Sequence, residues 1–421
     1  VLGGGLSGLA AAWELARAGV EVTLVEKSAE LGGLAGSFER EGHVYPLGYH
    51  HILGRDRVLL EFLDRIGALP KVQWRRVKML FRVREGLYDL GHPVDFLRFP
   101  MAFADKLRFA RLMLRAFFKA DWSDWNERSA RELIDGWAGP GVRAAIFEPL
   151  TRLKFELSCE EVSGAWLGAR LHFREGSSAF GYIPGANWTQ VLCQGVEKLV
   201  RDAGVRVVAP AELSRLEAQD GRVVAAHTAD GQRLAAELFV STIPTEVLTR
   251  LLPDEADSLA GVRYSALLSV ICSTRQDLGR EFYWMNLPTL DRAACGVFDL
   301  TSLNPTLGPR GERAVNFVTH LNGRHRPLFA LSDEELIARY REDFAAIFGF
   351  PLEAKWWHVA RVAMYSPVLV RGYRNPPPRS PVHGNLWFAG NYRTFPSIVS
   401  TGTALGSGVE TARAVLAAGG A

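Results

Sequence analysis

The chain opens on VLGGGLSGLAAAWELARAGVEVTLVEK, and the spacing Gly3, Gly5, Gly8 constrains its fold more than any other feature. Behind the glycines, apolar Leu9, Ala12, Leu15 and Ala16 recur at helical spacing, and Val22, Thr23, Leu24 and Val25 then read as a strand. The pattern is strand, tight turn, helix, strand. Gly3 permits the turn, Gly5 lets backbone approach a pyrophosphate, and Gly8 lets the helix pack closely on the sheet. Free N–H groups and aligned peptide dipoles at the helix start favour a negatively charged ligand. Glu26 ends the second strand, where a carboxylate accepts hydrogen bonds from an adenosine ribose and disfavours a 2'-phosphate. The run predicts a dinucleotide site. It leaves open whether the ligand is a nicotinamide dinucleotide that exchanges or a flavin dinucleotide that stays.

At 421 residues the chain is long enough for two domains, and 48% apolar with 23% charged residues reads as a soluble globular protein. A net charge of +3, with no basic block joined to a recognised motif, argues against nucleic acid as a partner. Cys159, Cys193, Cys272 and Cys295 form neither a CxxC unit nor a close ligand pair. They read as buried thiols of a reducing, cytoplasmic compartment. No metal site is expected, because His50 and His51 lack further ligands at suitable spacing. No uncharged run is long enough to span a bilayer. The first strand begins at Val1, so a few residues are expected to precede it.

Further along, short strands and a hairpin are expected over 74–94, mostly helices over 95–172, and a helix near 187–203. A strand-rich section ends in LFVSTIP at 238–244. Strands return near 262–320, helices near 331–348, and a loop-helix unit closes the chain near 385–417. NPPPRSP at 375–381 reads as a stiff surface connection.

Two more segments bear on the ligand. EKSAELGGLAGSF places a glycine pair directly after the second strand, and NLWFAGNYRTFPSIVSTGTALGSGVETARAVL joins a strand, a polar loop and a helix. With the opening run, these resemble the glutathione-reductase-type flavoproteins. The closer resemblance is to the amine-oxidase-like superfamily of protoporphyrinogen oxidases, phytoene desaturases and UDP-galactopyranose mutases. It extends over nearly the whole chain and is strongest at the two ends. The implied fold is α/β: a glutathione-reductase-type FAD-binding domain from residues 1–70, 180–265 and 375–421, interleaved with a mixed α+β substrate domain from 71–179 and 266–374.

The resemblance also implies FAD, held noncovalently because the C-terminal segment has no cysteine. Gly3, Gly5, Gly8 and Glu26 match its first motif. Gly32 and Gly33 match the glycine pair that follows, with Leu34 where many relatives carry Arg. Val207 lies in the strand expected to meet adenine through its backbone, and Thr242 and Pro244 match the return toward the nucleotide. Gly390 and Asn391 match a Gly-acid pair near the ribityl-pyrophosphate region. The helix after Ser400, with Gly402, Thr403 and Gly406, is expected to aim backbone donors at the flavin's pyrimidine end. GPRGERAVNF shows no second glycine fingerprint, so electrons pass to oxygen, a quinone or another acceptor, or cycle internally.

Candidate substrate contacts are Tyr283, Trp284, Tyr365 and one of the adjacent Trp356 and Trp357, with core packing as the alternative for each. His50 and His51 occupy the loop that passes near the flavin in relatives, where a histidine exchanges a proton or simply bonds backbone. Arg361 attracts a carboxylate or diphosphate, or else forms an ion pair. Glu148, Pro149 and Lys154 match relatives loosely and read as a helix-end turn with solvated charges. The function expected is oxidation or desaturation of a mainly apolar, polyprenyl or cyclic, small molecule. Against it stand a flavin-dependent isomerase or UDP-sugar mutase without net redox change, and a flavoprotein without turnover. Over 104–119, Leu107, Ala110, Leu114 and Phe117 form an apolar side ringed by Lys106, Arg108, Arg111, Arg115 and Lys119. This side is expected to cover the core of the substrate domain; the alternative is peripheral contact with a membrane.

Overall fold

The computed structural model describes residues 1–421 except 85, 176–178, 289–291, 322 and 420–421. Behind the glycine turn come α1 (Leu6–Arg17) and β1 (Thr23–Val25). Asp56 caps α2 (Arg57–Arg65) by accepting the Leu59 N–H at 3.2 Å. The hairpin β2 (Met79–Val83) and β3 (Gly86–Asp89) leads to the helices α3 (Phe103–Phe118), α4 (Glu148–Phe155), α5 (Gly164–Glu175) and α6 (Trp188–Asp202). Two short strands follow, β4 (Arg206–Val208) and β5 (Phe239–Ser241). Next are β6 (Tyr264–Thr274), β7 (Trp284–Asn286), β8 (Gly296–Asp299) and β9 (Arg313–Leu321). The chain closes through α7 (Asp333–Phe348), β10 (Trp356–Pro367), β11 (Leu386–Phe388) and α8 (Thr401–Gly419).

Leu2 bridges in parallel to both Val25 and Ser241, joining the pairs β1–β4 and β5–β11 into one parallel sheet. Its order, β4–β1–Leu2–β5–β11, places the first strand centrally, so the glycine turn emerges at the carboxyl edge where crevices form in such sheets. α1 packs on α8 at close range. A Cβ on Gly408 would meet Ser7 O at 2.1 Å, so only glycine fits there.

The second sheet runs β10–β6–β9–β8–β7–β2–β3, antiparallel except for the β2–β7 pair. Strand alternation divides its residues between two faces. Leu268, Val270 and Phe317 pack with Tyr340 and Phe344 of α7, while Leu267, Ile271 and Phe298 point to the other side. Trp357 belongs to the α7 face, stacked on Phe317 at 6.2 Å, and Trp356 to the opposite one. α7 starts at a capping box of Ser332 and Glu335 and stops at left-handed Gly349.

A third core joins α3 to α5 through Leu112, Ala116, Trp166 and Leu167. Here the structure corrects the sequence reading of α3. Leu107, Leu114 and Phe117 are 60%, 61% and 42% exposed, whereas Lys106, Leu112 and Ala116 face inward. The helix carries two apolar faces, and the one built from smaller groups packs against α5. Lys106 is satisfied there by donating to Leu97 O at 2.6 Å. Among the described residues, no helix is long and apolar enough to cross a membrane.

Candidate functional site

The opening glycines form a cradle whose shape is set by close approach. Gly3 has φ +100°, and a Cβ on Gly8 would lie 1.9 Å from Gly3 O. Thr242 Oγ1 seats the turn from below, donating to Leu2 O at 3.0 Å and Gly3 O at 3.1 Å. The glycine pair folds against this turn: Gly32 N–H donates to Gly4 O at 2.8 Å, and a Cβ on Gly33 would touch Gly5 Cα at 3.1 Å. Glu26 borders the cradle, accepting the N–H groups of Gly4 at 2.7 Å and Ser28 at 2.9 Å. The ladder of α1 begins with Leu9 donating to Gly5 O, so the preceding N–H groups at the helix start point into the cradle unused by the helix. Bare backbone, helix start and carboxylate together fit a dinucleotide pyrophosphate and ribose. Val207 lies on the edge strand β4. Its neighbours Arg206 and Val208 carry the bonds to Val22 and Glu26, which turns the Val207 backbone groups outward.

Pro244 precedes the helix Thr245–Leu251, directly behind Thr242. Gly390, at φ +138°, donates its N–H to Ser407 Oγ at 3.0 Å, and Asn391 Nδ2 donates to Tyr365 O at 3.0 Å. This last bond ties the loop after β11 to the second sheet. The start of α8 is arranged differently from the sequence reading. Thr403 N–H is taken by Ser400 Oγ, and Gly402 N–H by Asp56, whose carboxylate lies where a Gly402 Cβ would be. Gly406 faces Val58 of α2. Gly402 therefore clears the way for Asp56 at the start of α2, and Gly402 and Thr403 do not offer free backbone donors. Burial raises the Asp56 carboxyl above the ordinary range, against the pull of its three hydrogen bonds.

The loop 48–51 crosses beneath the second sheet's inner face. Tyr49 stacks on Phe298 at 4.0 Å, and His51 stacks on Phe180 at 4.8 Å with Tyr283 and Trp284 beside it. His50 bonds Leu34 O through Nε2 at 3.0 Å, and burial pushes its pKa down to about 4, so it is neutral near pH 7. It lines a cavity of about 40 Å³ with Trp188 and Tyr283, too small for an organic substrate. Tyr365 lies deep in the protein and hydrogen-bonds Tyr49, so the two tyrosines join this aromatic wall to the Asn391 loop. Arg361 is not part of it. Strand alternation turns Arg361 toward α7, where it pairs with Asp333 at 2.5 Å and donates to Leu331 O at 2.7 Å.

Sequence reasoning took Lys154 for a solvated charge and passed over Arg170. Both are half-buried, and burial lowers the pKa of each. They flank one ring, Lys154 Nζ 5.6 Å and the Arg170 guanidinium 5.8 Å from the Trp166 centroid. The available signal was the spacing Trp166–Arg170, one helical turn, on an otherwise apolar stretch. Burial lowers the Lys154 pKa from its ordinary 10.5 to about 7, with the Arg170 charge adding to the effect. Between about pH 7 and 10.5 the unfolded chain thus holds a proton that the folded protein has shed, and stability rises with pH across this window. Lys154→Met is expected to be more stable than the parent at pH 7 and to lose that advantage by pH 10. Paired urea titrations read it out; a constant difference across the window would contradict the assignment.

Residues 6–416 match the family model described as flavin containing amine oxidoreductase. A 4,4'-diapolycopene oxygenase of Methylomonas sp is 24% identical over 299 residues, which are 62% of this chain and 58% of that protein. A carotenoid 3,4-desaturase of Haloarcula japonica is 48% identical over 71 residues, 17% of this chain and 14% of that protein. The chain thus spans little more than half the length of the first relative and about one seventh of the second. Among solved structures, an Exiguobacterium sp. 255-15 protein assigned as a protoporphyrinogen oxidase superposes with TM-score 0.79 at 18% identity, over 98% of this chain and 97% of its own. Reduced UDP-galactopyranose mutase gives 0.76 at 15% identity, over 99% and 95%. At these identities the likeness is one of fold.

Proposed function

The chain belongs to the flavin-containing amine oxidoreductase family, its cofactor is FAD, and we propose that it oxidises or desaturates a mainly apolar, polyprenyl or cyclic substrate. The observation carrying this reading is the aromatic wall of Tyr49, Trp284 and Phe298, which Asn391 and Tyr365 connect to the loop after β11. Flat or long apolar molecules lose least by leaving water for such a surface. The carotenoid-modifying relatives support the same substrate class.

Bound FAD would supply the two-electron acceptor for a hydride from a substrate C–H bond. The glycine cradle and the α1 start would hold the pyrophosphate, and Glu26, beside them, the ribose. The aromatic wall orients the substrate and excludes water. His50, neutral and committed to Leu34 O, keeps the loop in place rather than supplying a proton. Residues 1–70, 180–265 and 375–421 form the FAD-binding part in this reading, and 71–179 with 266–374 the substrate part. Oxygen or a quinone takes the electrons, and the exposed face of α3 rests on a membrane from which the substrate is drawn.

Anaerobic mixing of the FAD-loaded protein with isoprenoid, carotenoid and cyclic substrate pools tests the reading. Stoichiometric bleaching of the flavin by one of them is expected. Product formed only after prior reduction, without net electron loss, would assign a rearrangement of the isomerase or mutase kind instead, and no turnover a binding protein.

A further inference from the structure

Arg170 is the half-buried cation that the apolar reading leaves unexplained. A guanidinium carries five donors and a permanent charge, and bringing one into a protein without an anion is costly. No described carboxylate lies within ion-pair distance of Arg170, and its ring contact with Trp166 is a distant 5.8 Å. Its electrostatic neighbours are the hydroxyls of Tyr49 and Tyr365, which hydrogen-bond each other, and the ammonium of Lys154. His320 closes the group, its ring 6.0 Å from that of Tyr365, and both cations act on it. The five residues come from α4, α5, β9, β10 and the loop 48–51, so the fold gathers them from distant parts of the chain. All the charge they carry is positive, and Arg170, Tyr49 and His320 neighbour the tyrosine, Tyr365, whose backbone Asn391 anchors.

We propose that Arg170, with Lys154, Tyr49 and Tyr365, forms a subsite for an oxyanion, a carboxylate or a phosphate, on a substrate whose remainder is apolar. The inference rests on the substrate reading above and narrows it: the molecule oxidised is an amphiphile, bound head inward against the cations with its apolar body along the aromatic wall. A pure hydrocarbon leaves the guanidinium without an anion and binds less well. The Arg170 fork suits either oxyanion, since both offer two oxygens in one plane.

Equilibrium binding to the FAD-loaded protein tests this without turnover. Decanoate, decyl phosphate and decanol, which share one alkyl chain, are titrated anaerobically while the Trp166-dependent fluorescence change and the flavin difference spectrum are followed. At least one anion is expected to bind ten-fold or more tightly than decanol, and the tighter of the two names the head group. Arg170→Met is expected to erase that preference while decanol binding and FAD content stay unchanged; Arg170→Lys restores part of it. Equal affinity for the three probes, or an anion preference that survives Arg170→Met, overturns the subsite. If the subsite passes and no pool bleaches the flavin, the oxidation reading fails separately. Should Arg170→Met not fold, Tyr365→Phe, expected to weaken anion binding three-fold or more and to leave decanol alone, carries the same test.

Discussion

Gly8→Ala is expected to yield protein that retains almost no FAD. The added Cβ would lie 1.9 Å from Gly3 O and 2.9 Å from Thr242 Oγ1. The first of these is main chain, held by the parallel sheet, and cannot swing aside. α1 must therefore back away from the turn, and its leading N–H groups leave the position from which they meet a pyrophosphate. A 100-fold loss of FAD affinity, about 2.7 kcal/mol, is the expected lower bound. Calorimetric titration of the apoprotein with FAD reads it, with far-ultraviolet circular dichroism confirming that the variant is folded. Gly406→Ala is the informative companion, because its Cβ would make only ordinary contact, 3.7 Å from Val58. It should keep FAD. Full flavin retention in Gly8→Ala would remove the cradle from the binding site.

The cradle was legible in sequence because a backbone requirement leaves a local mark: no other residue tolerates Gly3 at φ +100° or Gly8 against a carbonyl. The same holds for the strand-helix-strand order, which needs only periodicity over neighbouring residues. Faces are another matter. The alternation of β10 told that Trp356 and Trp357 part ways, but not which one meets α7, because that depends on pairing with β6, roughly 80 residues earlier in the chain. Arg361 takes the second of its two readings, an ion pair, and its face is hidden from the sequence for the same reason. The sequence sets Gly402 and Gly406 against the flavin, yet Gly402 makes its close approach to Asp56 at the start of α2, which no local pattern names, and Gly406 has only ordinary contact with Val58. Lys154 and Arg170 gain their meaning only when α4 and α5 bring them to one indole.

Replacing Phe103, Leu107, Leu114 and Phe118 together by serine is expected to release the protein from anionic vesicles. These four side chains are 65%, 60%, 61% and 75% exposed, on one helix whose opposite face already fills a core. An aqueous surface gives such groups nothing, and a contiguous apolar patch of this kind marks a contact with a partner or a membrane. The surrounding charges favour the membrane. Arg108, Arg111 and Arg115 are exposed along the same helix, and Arg115 and Lys119 lie over Trp137 and Trp122 at 5.0 and 5.2 Å, as cations do when they reach from apolar ground toward phosphates. Full burial of a Leu or Phe is worth roughly 1.5–3 kcal/mol, and an interfacial helix achieves about half of that, so four losses amount to about 3 kcal/mol or more. Sedimentation with vesicles of mixed zwitterionic and anionic lipid should therefore show at least a 100-fold fall in partitioning. FAD content is expected to stay the same, since the core face of α3 is untouched. Each basic residue near the surface adds on the order of 1 kcal/mol that salt screens, so parental binding should weaken as ionic strength rises. Absence of parental binding at low salt, or equal binding by the fourfold variant, would leave the exposed face of α3 to a protein partner and separate substrate supply from the membrane.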